Sequence, residues 1–406
     1  MKLLEGFRVI DLSTFVAAPT AARIMGDWGA DVIKVENFRG DPLRCTAGYS
    51  LSCPPELLNP DQDFAYDLTG ANKRFLSLDV KKPEGLSVLL KLLESADVLI
   101  TNYRNQALEA LGLTYDDLKE KFPRLIFGHV VGYGEKGPDK DRPGFDYTAF
   151  GARSGITGSF AQIDADPINM FNSMGDVTSG LDLVTGICAA LASRAKTGKG
   201  RKVIVGLYAA GMYTASYAIA GAQFGEKFPR SRKTDNFPLL NIYKASDGRW
   251  MQLCVADYNL YFNKLVTALG IPELIDHPIY SKVDALVAHH AKGEVIAYFD
   301  KAFAKKTADE WMAIMKEYDL TLEICYKFAD VSKDEQAWAN GYLSKVVYPS
   351  GAEAAYVTPP IHFSDEGAPE FKISRPCGAD NEEILREIGY SAKEIEDFRV
   401  GRIINH

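Results

Sequence analysis

Over its first 131 residues the chain switches repeatedly between two hydrophobic periods, and this alternation constrains the fold more than any other feature. Residues 7–12 (FRVIDL) are apolar and β-branched. Pro19 then opens a helix where its missing N–H costs nothing, and Gly29 stops it. Residues 31–36 (DVIKVE) make the next strand. A helix over 83–96, a strand over 97–101, short helices up to Phe122 and a strand over 125–131 continue the series. Strands and helices alternating in this way predict an α/β fold, a parallel sheet with helices on its faces. A further helix is expected over 177–195, with Leu181, Val184, Cys188 and Leu191 on one buried face. A strand over 202–207 follows it.

The pattern breaks near residue 225. Residues 226–238 (EKFPRSRKTDNFP) are polar, hold two prolines and have no period, so they read as loop. Apolar runs at 242–245 and 250–255 flank Ser-Asp-Gly, a hairpin signal. Helical stretches follow at 258–269, 289–305 and 308–318, the last with Thr307 placed to cap it. The tail has short extended pieces at 345–348 and 355–358 and two helices, the second opened by Ser391 with Glu394 three residues on. The division expected is a large domain over 1–207, a linker over 208–235, a smaller α+β domain over 236–330 and a last segment over 331–406.

A net charge of -8 argues against a nucleic-acid partner but leaves room for an anion bound by a few local Lys and Arg. The six cysteines (45, 53, 188, 254, 325 and 377) contain no CxxC pair and read as free thiols of a reducing compartment. Glu5 and Arg8 fall where a signal peptide would be apolar. Residues 203–225 carry no charge, yet Gly, Ala, Ser, Thr and Tyr make them a buried or interfacial helix rather than a membrane span. A cytoplasmic protein with no membrane or nucleic-acid partner is the expectation.

Common catalytic signals fail. Gly132, Gly134 and Gly137 match GxGxxG by spacing, but Pro138 and a charged loop follow instead of a helix. There is no GxxxxGK[ST], HExxH or GxSxG, and the histidines at 129, 277, 289, 290, 362 and 406 form no metal-ligand pattern. Asp176, after Gly175, reads on its own as a helix N-cap. The same geometry suits chemistry. A carboxylate is an anion at neutral pH and needs no activating base, Gly175 leaves room for a bulky thioester, and the helix-start N–H groups favour an oxyanion.

Long motifs in order carry a resemblance. GFRVIDLSTFVAAPTAARIMGDWGADVIKVE with GDPLR, then NKRFLSLDVKKPEG, ADVLITNYR, GYGEKGPDKDRPGFDY and the Gly-Asp before the helix resemble the family III CoA-transferases of the CaiB–BaiF type over nearly the whole chain. The resemblance implies a Rossmann-like large domain built from both chain ends, so that residues 331–406 return to it. It also implies an interlocked homodimer, no tightly bound cofactor, and coenzyme A thioesters as substrates. The nucleophile falls on Asp176. Coenzyme A contacts fall on Val16 and Ala17, on Asn72, Lys73 and Arg74, on Asn102, Tyr103 and Arg104, and on the turn Gly132, Tyr133 and Gly134. Lys73, Arg74 and Arg104 suit phosphate on chemical grounds as well.

Departures accompany the likeness. Formyl-CoA transferase has an Arg where this chain has Asn37 and another where it has Ala110, which implies rearranged phosphate contacts. Its glycine-rich lid has no counterpart, since residues 225–250 hold only Gly225 and Gly248. PGFDYTAFGARSG and DEQAWAN resemble the subgroup of amino-acid fermentation that acts on phenyllactate or 2-hydroxyisocaproate. That implies an (R)-2-hydroxy acid as acceptor and an enoyl-CoA such as cinnamoyl-CoA as donor. Two rivals are an α-methylacyl-CoA racemase and a non-catalytic CoA-binding protein. The racemase motif GlyHisAsp reads Gly144-Phe145-Asp146 here, and phenylalanine carries no proton.

Overall fold

The structure is a computed structural model that describes residues 2–44, 58–59, 61–367 and 369–405. Cys45, Cys53 and His406 lie outside the described residues. The chain divides into two compact units. One comprises residues 1–157, 169–220 and 335–406, the other residues 158–168 and 221–334.

The first unit is built on six parallel strands: β1 (Arg8–Leu12), β2 (Asp31–Glu36), β3 (Arg74–Ser77), β4 (Val98–Thr101), β5 (Ile126–Val131) and β6 (Lys202–Gly206). Their spatial order is β3-β2-β1-β4-β5-β6. In a doubly wound sheet of this order, ligands bind outside the carboxyl ends of the strands where the order reverses, between β1 and β4. Side chains alternate across the sheet. Val9, Val32, Val98 and Ile126 face one core with the helices α1 (Ala17–Asp27) and α3 (Met174–Thr197). Ile10, Ile33, Leu99 and Phe127 face the other with α2 (Pro83–Leu93). Ile384, Leu385 and Ile395 from the end of the chain fill this second core. The tail also closes the outer edge of β3: Asp380 Oδ2 and Asn381 Oδ1 accept from Phe75 N (2.8 Å) and Ser77 N (2.9 Å).

A buried ion network ties the first three strands together. Lys73, next to β3, sits 2.8 Å from Asp11 of β1, and Lys34 of β2 sits 3.0 Å from Asp41 and 3.7 Å from Asp11. Burial opposes charge on Lys34, yet Asp11, Asp41 and Glu36 hold its ammonium above the ordinary lysine range. For Lys73 burial wins and lowers it to about 8, although Asp11 pulls the other way. Burial would raise Asp11, but the two lysines hold it below its usual value. Lys34 Nζ also donates to the carbonyl of Ser13 (2.6 Å), so the network shapes the turn that leaves β1.

Some expectations differ from what is seen. Residues 208–235, read as linker, include the helices Leu207–Thr214 and Ser216–Gln223. The first packs so closely that a Cβ on Gly211 would lie 2.5 Å from the Phe150 carbonyl. The uncharged run 203–225 is therefore strand plus two short helices. α3, long and apolar enough to cross a membrane, lies against α1 and the sheet. Its buried stripe runs through Leu183, Val184, Ile187, Ala190 and Leu191, leaving Leu181 and Cys188 on the half-buried flank.

The second unit has a three-stranded antiparallel sheet of Leu240–Lys244, Trp250–Cys254 and Leu322–Ile324, with the expected hairpin turning at Gly248 (φ 84°). Helices Tyr258–Ala268, Lys292–Phe303 and Ala308–Glu317 enclose its core, where Tyr243 stacks on Phe303 at 4.8 Å. Thr307 and Glu310 close a capping box, as do Ser391 and Glu394 in the first unit.

Replacing one charge of the network exposes its energetics. Asp11→Asn leaves Lys73 buried beside an uncharged amide, and breaking a buried pair this way costs about 3–5 kcal/mol. Urea unfolding should show a loss of that size; a loss below about 1 kcal/mol, the range of ordinary surface changes, would show that the network holds nothing together.

Candidate active site

A cavity of about 760 Å3 opens at the carboxyl ends of the strands in the first unit. Its walls are Thr14–Ala17 after β1, Asn37 after β2, Asn102–Ala107 after β4, Val130–Gly132 at the end of β5, and parts of the segments 140–147 and 172–176. This is the switch point that the strand order marks out.

The turn after β1 is held from three sides. Asn102 Nδ2 donates to the carbonyl of Thr14 (2.7 Å) while Asn102 Oδ1 accepts from Thr14 N (3.0 Å). Asp41 Oδ1 accepts from Phe15 N (3.0 Å), fixing Phe15 at φ 62°. That left-handed conformation is costly for a bulky residue and persists only where its surroundings impose it. Val16 then begins α1 with no side-chain cap, so the first N–H groups of α1 border the cavity.

Asp176 lies in the first turn of α3, on the same face as Gly180 one turn later. A Cβ on Gly180 would lie 2.8 Å from the carbonyl of Ala17, so this face of α3 presses on the start of α1. Asp176 is not the N-cap the sequence suggested. Ser173 holds that position at φ 66°, and the cap comes from elsewhere: Asp146 Oδ1 accepts from Gly175 N at 2.8 Å. Asp176 is thereby left to face the cavity. Gly175 is required by packing, because a Cβ there would lie 2.2 Å from Phe150 and 2.5 Å from Asp146 Oδ1. Its N–H is taken by Asp146, so this helix-start N–H does not serve an oxyanion.

Two carboxylates thus stand at one helix start. Burial, and then the charge of Asp146, push Asp176 up to about 7. Asp146 is itself raised by burial, against the N–H groups of Gly175, Ser173, Asp176 and Met174. The ready anion inferred from the ordinary aspartate value is therefore a carboxylate held toward its protonated form.

Of the residues matched to coenzyme A, Val16, Ala17, Asn102, Tyr103, Arg104 and Gly132 line this cavity with Asp176. Gly132 packs backbone to backbone on Gly144, each leaving no room for a Cβ on the other. Tyr133 and Gly134 are outside the lining. So are Asn72, Lys73 and Arg74, and each is engaged elsewhere. Asn72 bonds Asp27 and the carbonyl of Glu370, Lys73 is fully buried on Asp11, and Arg74 binds Asp31 and Glu387. A side chain with no exposure cannot meet a phosphate, which corrects the phosphate expectation for Lys73. Sequence reasoning missed Lys81, Lys140 and Arg142, which join Arg104 around the cavity. For Lys140 and Arg142 the signal lay in GEKGPDKDRPG, a charged loop directly after a strand end, which was read as a failed dinucleotide motif and as part of the family resemblance but not as a source of cations.

A family model described as CoA-transferase family III matches residues 4–381. The chain is 40% identical over 404 residues to the (R)-2-hydroxy-4-methylpentanoate CoA-transferase of Clostridioides difficile, covering 100% of both chains. It is 40% identical over 401 residues to the cinnamoyl-CoA:phenyllactate CoA-transferase of Clostridium sporogenes, covering 98% of this chain and 96% of the relative. Among solved structures, a CAIB/BAIF family protein from Brucella suis superposes with a TM-score of 0.78 at 26% identity, over 95% of this chain and 99% of the other.

The carboxylate pair makes two predictions. Titration of Asp176 followed by carboxyl NMR should centre near pH 7 and move down in Asp146→Asn, which removes the like charge. An unchanged midpoint would mean that burial alone raises it. Because Asp176 has its proton affinity raised by folding, its contribution to stability is full below the unfolded value of 3.8 and is lost as pH rises through about 7. Asp176→Asn, which mimics the protonated form, should therefore melt above the unaltered protein at pH 8 and level with it near pH 4.

Proposed function

Because the chain belongs to CoA-transferase family III, and is on that ground a CoA-transferase, we propose that Asp176 is its nucleophile. We further propose that it carries CoA from an enoyl-CoA such as cinnamoyl-CoA to an (R)-2-hydroxy acid. The observation that carries this reading is a desolvated carboxylate, raised to about 7, facing a cavity lined by four cationic side chains. The proposed substrates are those in the names of the two relatives at 40% identity, which act on a 2-hydroxy acid and on cinnamoyl-CoA.

In this mechanism the Asp176 carboxylate attacks the thioester carbonyl, giving a mixed anhydride and CoA thiolate. The thiolate attacks the aspartyl carbonyl, forming an aspartyl-CoA thioester and releasing the donor acid as its carboxylate. The incoming carboxylate attacks that thioester and expels the thiolate, leaving a second anhydride. The thiolate then takes the new acyl group and frees Asp176. One thioester replaces another, and no net proton, metal or nucleotide energy is needed. Lys81, Arg104, Lys140 and Arg142 would meet the phosphates of CoA, replacing the Lys73 and Arg74 assignment. The N–H groups at the start of α1 would face the tetrahedral oxyanion.

Phe145 stands on the cavity wall at the position where a racemase would hold its histidine, and nothing there favours the racemase reading. We take the substrates to be CoA thioesters, with no tightly bound cofactor, and the compartment to be the reducing cytoplasm. The four cysteines among the described residues are free thiols, which supports the latter. A homodimer is proposed as well: Tyr213 and Tyr217 are 83% and 94% exposed, rings that a partner copy would cover.

The deciding test is incubation with an enoyl-CoA and a panel of carboxylic acids, with thioesters read by mass spectrometry. Asp176→Ala should lower transfer by about 10^4-fold or more, because covalent catalysis has no substitute. An acyl or CoA adduct trapped with donor alone should map to Asp176. Retention of more than a few per cent of activity in that variant would overturn the assignment.

A further inference from the structure

The cavity that holds Asp176 has an aromatic end. Phe15, Phe145 and Tyr147 line it, at 41%, 55% and 41% exposure. Large rings left outside the core and gathered on a cavity wall mark a place where an apolar group is bound. The cationic lining residues cannot serve that purpose, and they are Lys81, Arg104, Lys140 and Arg142.

The rings are positioned by backbone constraints. Phe15 is held at φ 62° by the Asp41 carboxylate on its N–H and by the reciprocal bonds of Asn102 to Thr14. Phe145 N donates to Thr148 Oγ1 at 3.0 Å, and its ring meets Phe15 edge to face with centroids 6.2 Å apart. Tyr147 is tied through its hydroxyl to Asn172. A left-handed phenylalanine is strained, and here that strain puts its ring against Phe145 rather than in the core.

The same segment reaches the nucleophile. Phe145 adjoins Asp146, whose carboxylate accepts from Gly175 N, the residue before Asp176. Phe15, Phe145 and Asp176 line one cavity, so an acyl group carried by Asp176 would share it with this aromatic pair.

We infer that Phe15 and Phe145 form the subsite for the side chain of the exchanged acid, and that this pair selects aryl or branched-alkyl acids over short ones. The inference rests on the reading of Asp176 as the nucleophile and adds to it the residues that set substrate class. The pair acts on both half-reactions, since donor and acceptor acyl groups occupy Asp176 in turn. Edge-to-face contact with a substrate ring adds to the burial that any branched alkyl group would gain.

The test uses the full-length enzyme with one enoyl-CoA donor and three acceptors: phenyllactate, 2-hydroxy-4-methylpentanoate and lactate. All three share the carboxylate and the 2-hydroxyl and differ only in side chain. Phe145→Ala should lower kcat/KM for the two bulky acids relative to lactate by about 10- to 100-fold, mainly through KM. Phe145→Leu, which keeps apolar bulk, should restore preference for the branched acid more than for the aryl one. Phe15→Ala should act in the same direction, and near-UV circular dichroism would identify a variant that has lost its fold. Equal losses for all three acids, or an unchanged ratio in both alanine variants, would overturn the subsite. Transfer by the unaltered enzyme that persists in Asp176→Ala would instead overturn the nucleophile assignment, and the subsite with it.

Discussion

The constraint on which the rest depends is the burial of four charges behind the turn that leaves β1. Lys34 and Lys73 meet Asp11 and Asp41 where water is excluded, so each charge is tolerable only while its partners stay in place. The partners come from β1, β2, the loop after β2 and the start of β3. Docking three strands in register is therefore the condition for satisfying any of them. Two members reach past the core. Lys34 donates to the Ser13 carbonyl and Asp41 accepts from Phe15 N, so the network that fixes the sheet also fixes one wall of the cavity.

The opposite wall has a different logic. Asp146 caps α3 from a distant segment and in doing so places a second negative charge beside Asp176. A conventional cap at the helix start would have stabilised α3 by about 1 kcal/mol and used the carboxylate up. Supplying the cap from elsewhere leaves Asp176 desolvated and exposed to substrate, with its affinity for protons raised. The stability given up above pH 7 is the cost of keeping this carboxylate desolvated and uncapped beside a second one.

Much of this was legible in the residues. Alternating periods gave β1, β2, β4, β5 and β6 close to where they lie but missed the four-residue β3, and Pro19 and Gly29 marked the ends of α1 because each has a single backbone reason to be there. Thr307 with Glu310 and Ser391 with Glu394 were readable as caps because a capping box is local. Other readings failed where the cause was remote. Lys73 and Arg74 look like phosphate ligands in sequence, and no local feature tells that Asp11 and the tail acids Glu383 and Glu387 already hold them. Asp176 looks like a cap because the residue that caps the helix, Asp146, lies 29 positions before the Gly175 N–H it accepts from.

The residues by themselves determined the fold class, most of the alternating strands and helices along the chain, and the presence of an aspartate after glycine at a helix start. These follow from periodicity and from short-range backbone chemistry, which act within a few positions. Only the tertiary structure decided which charges face one another, which lysines remain for a ligand, and that Phe15 and Phe145 meet on the wall of the cavity that holds Asp176. Those outcomes depend on distances between segments far apart in sequence and on how much water each pairing excludes. The strength of an ion pair, the proton affinity of a carboxylate and the exposure of a ring are set by that exclusion, which no single stretch of the chain encodes.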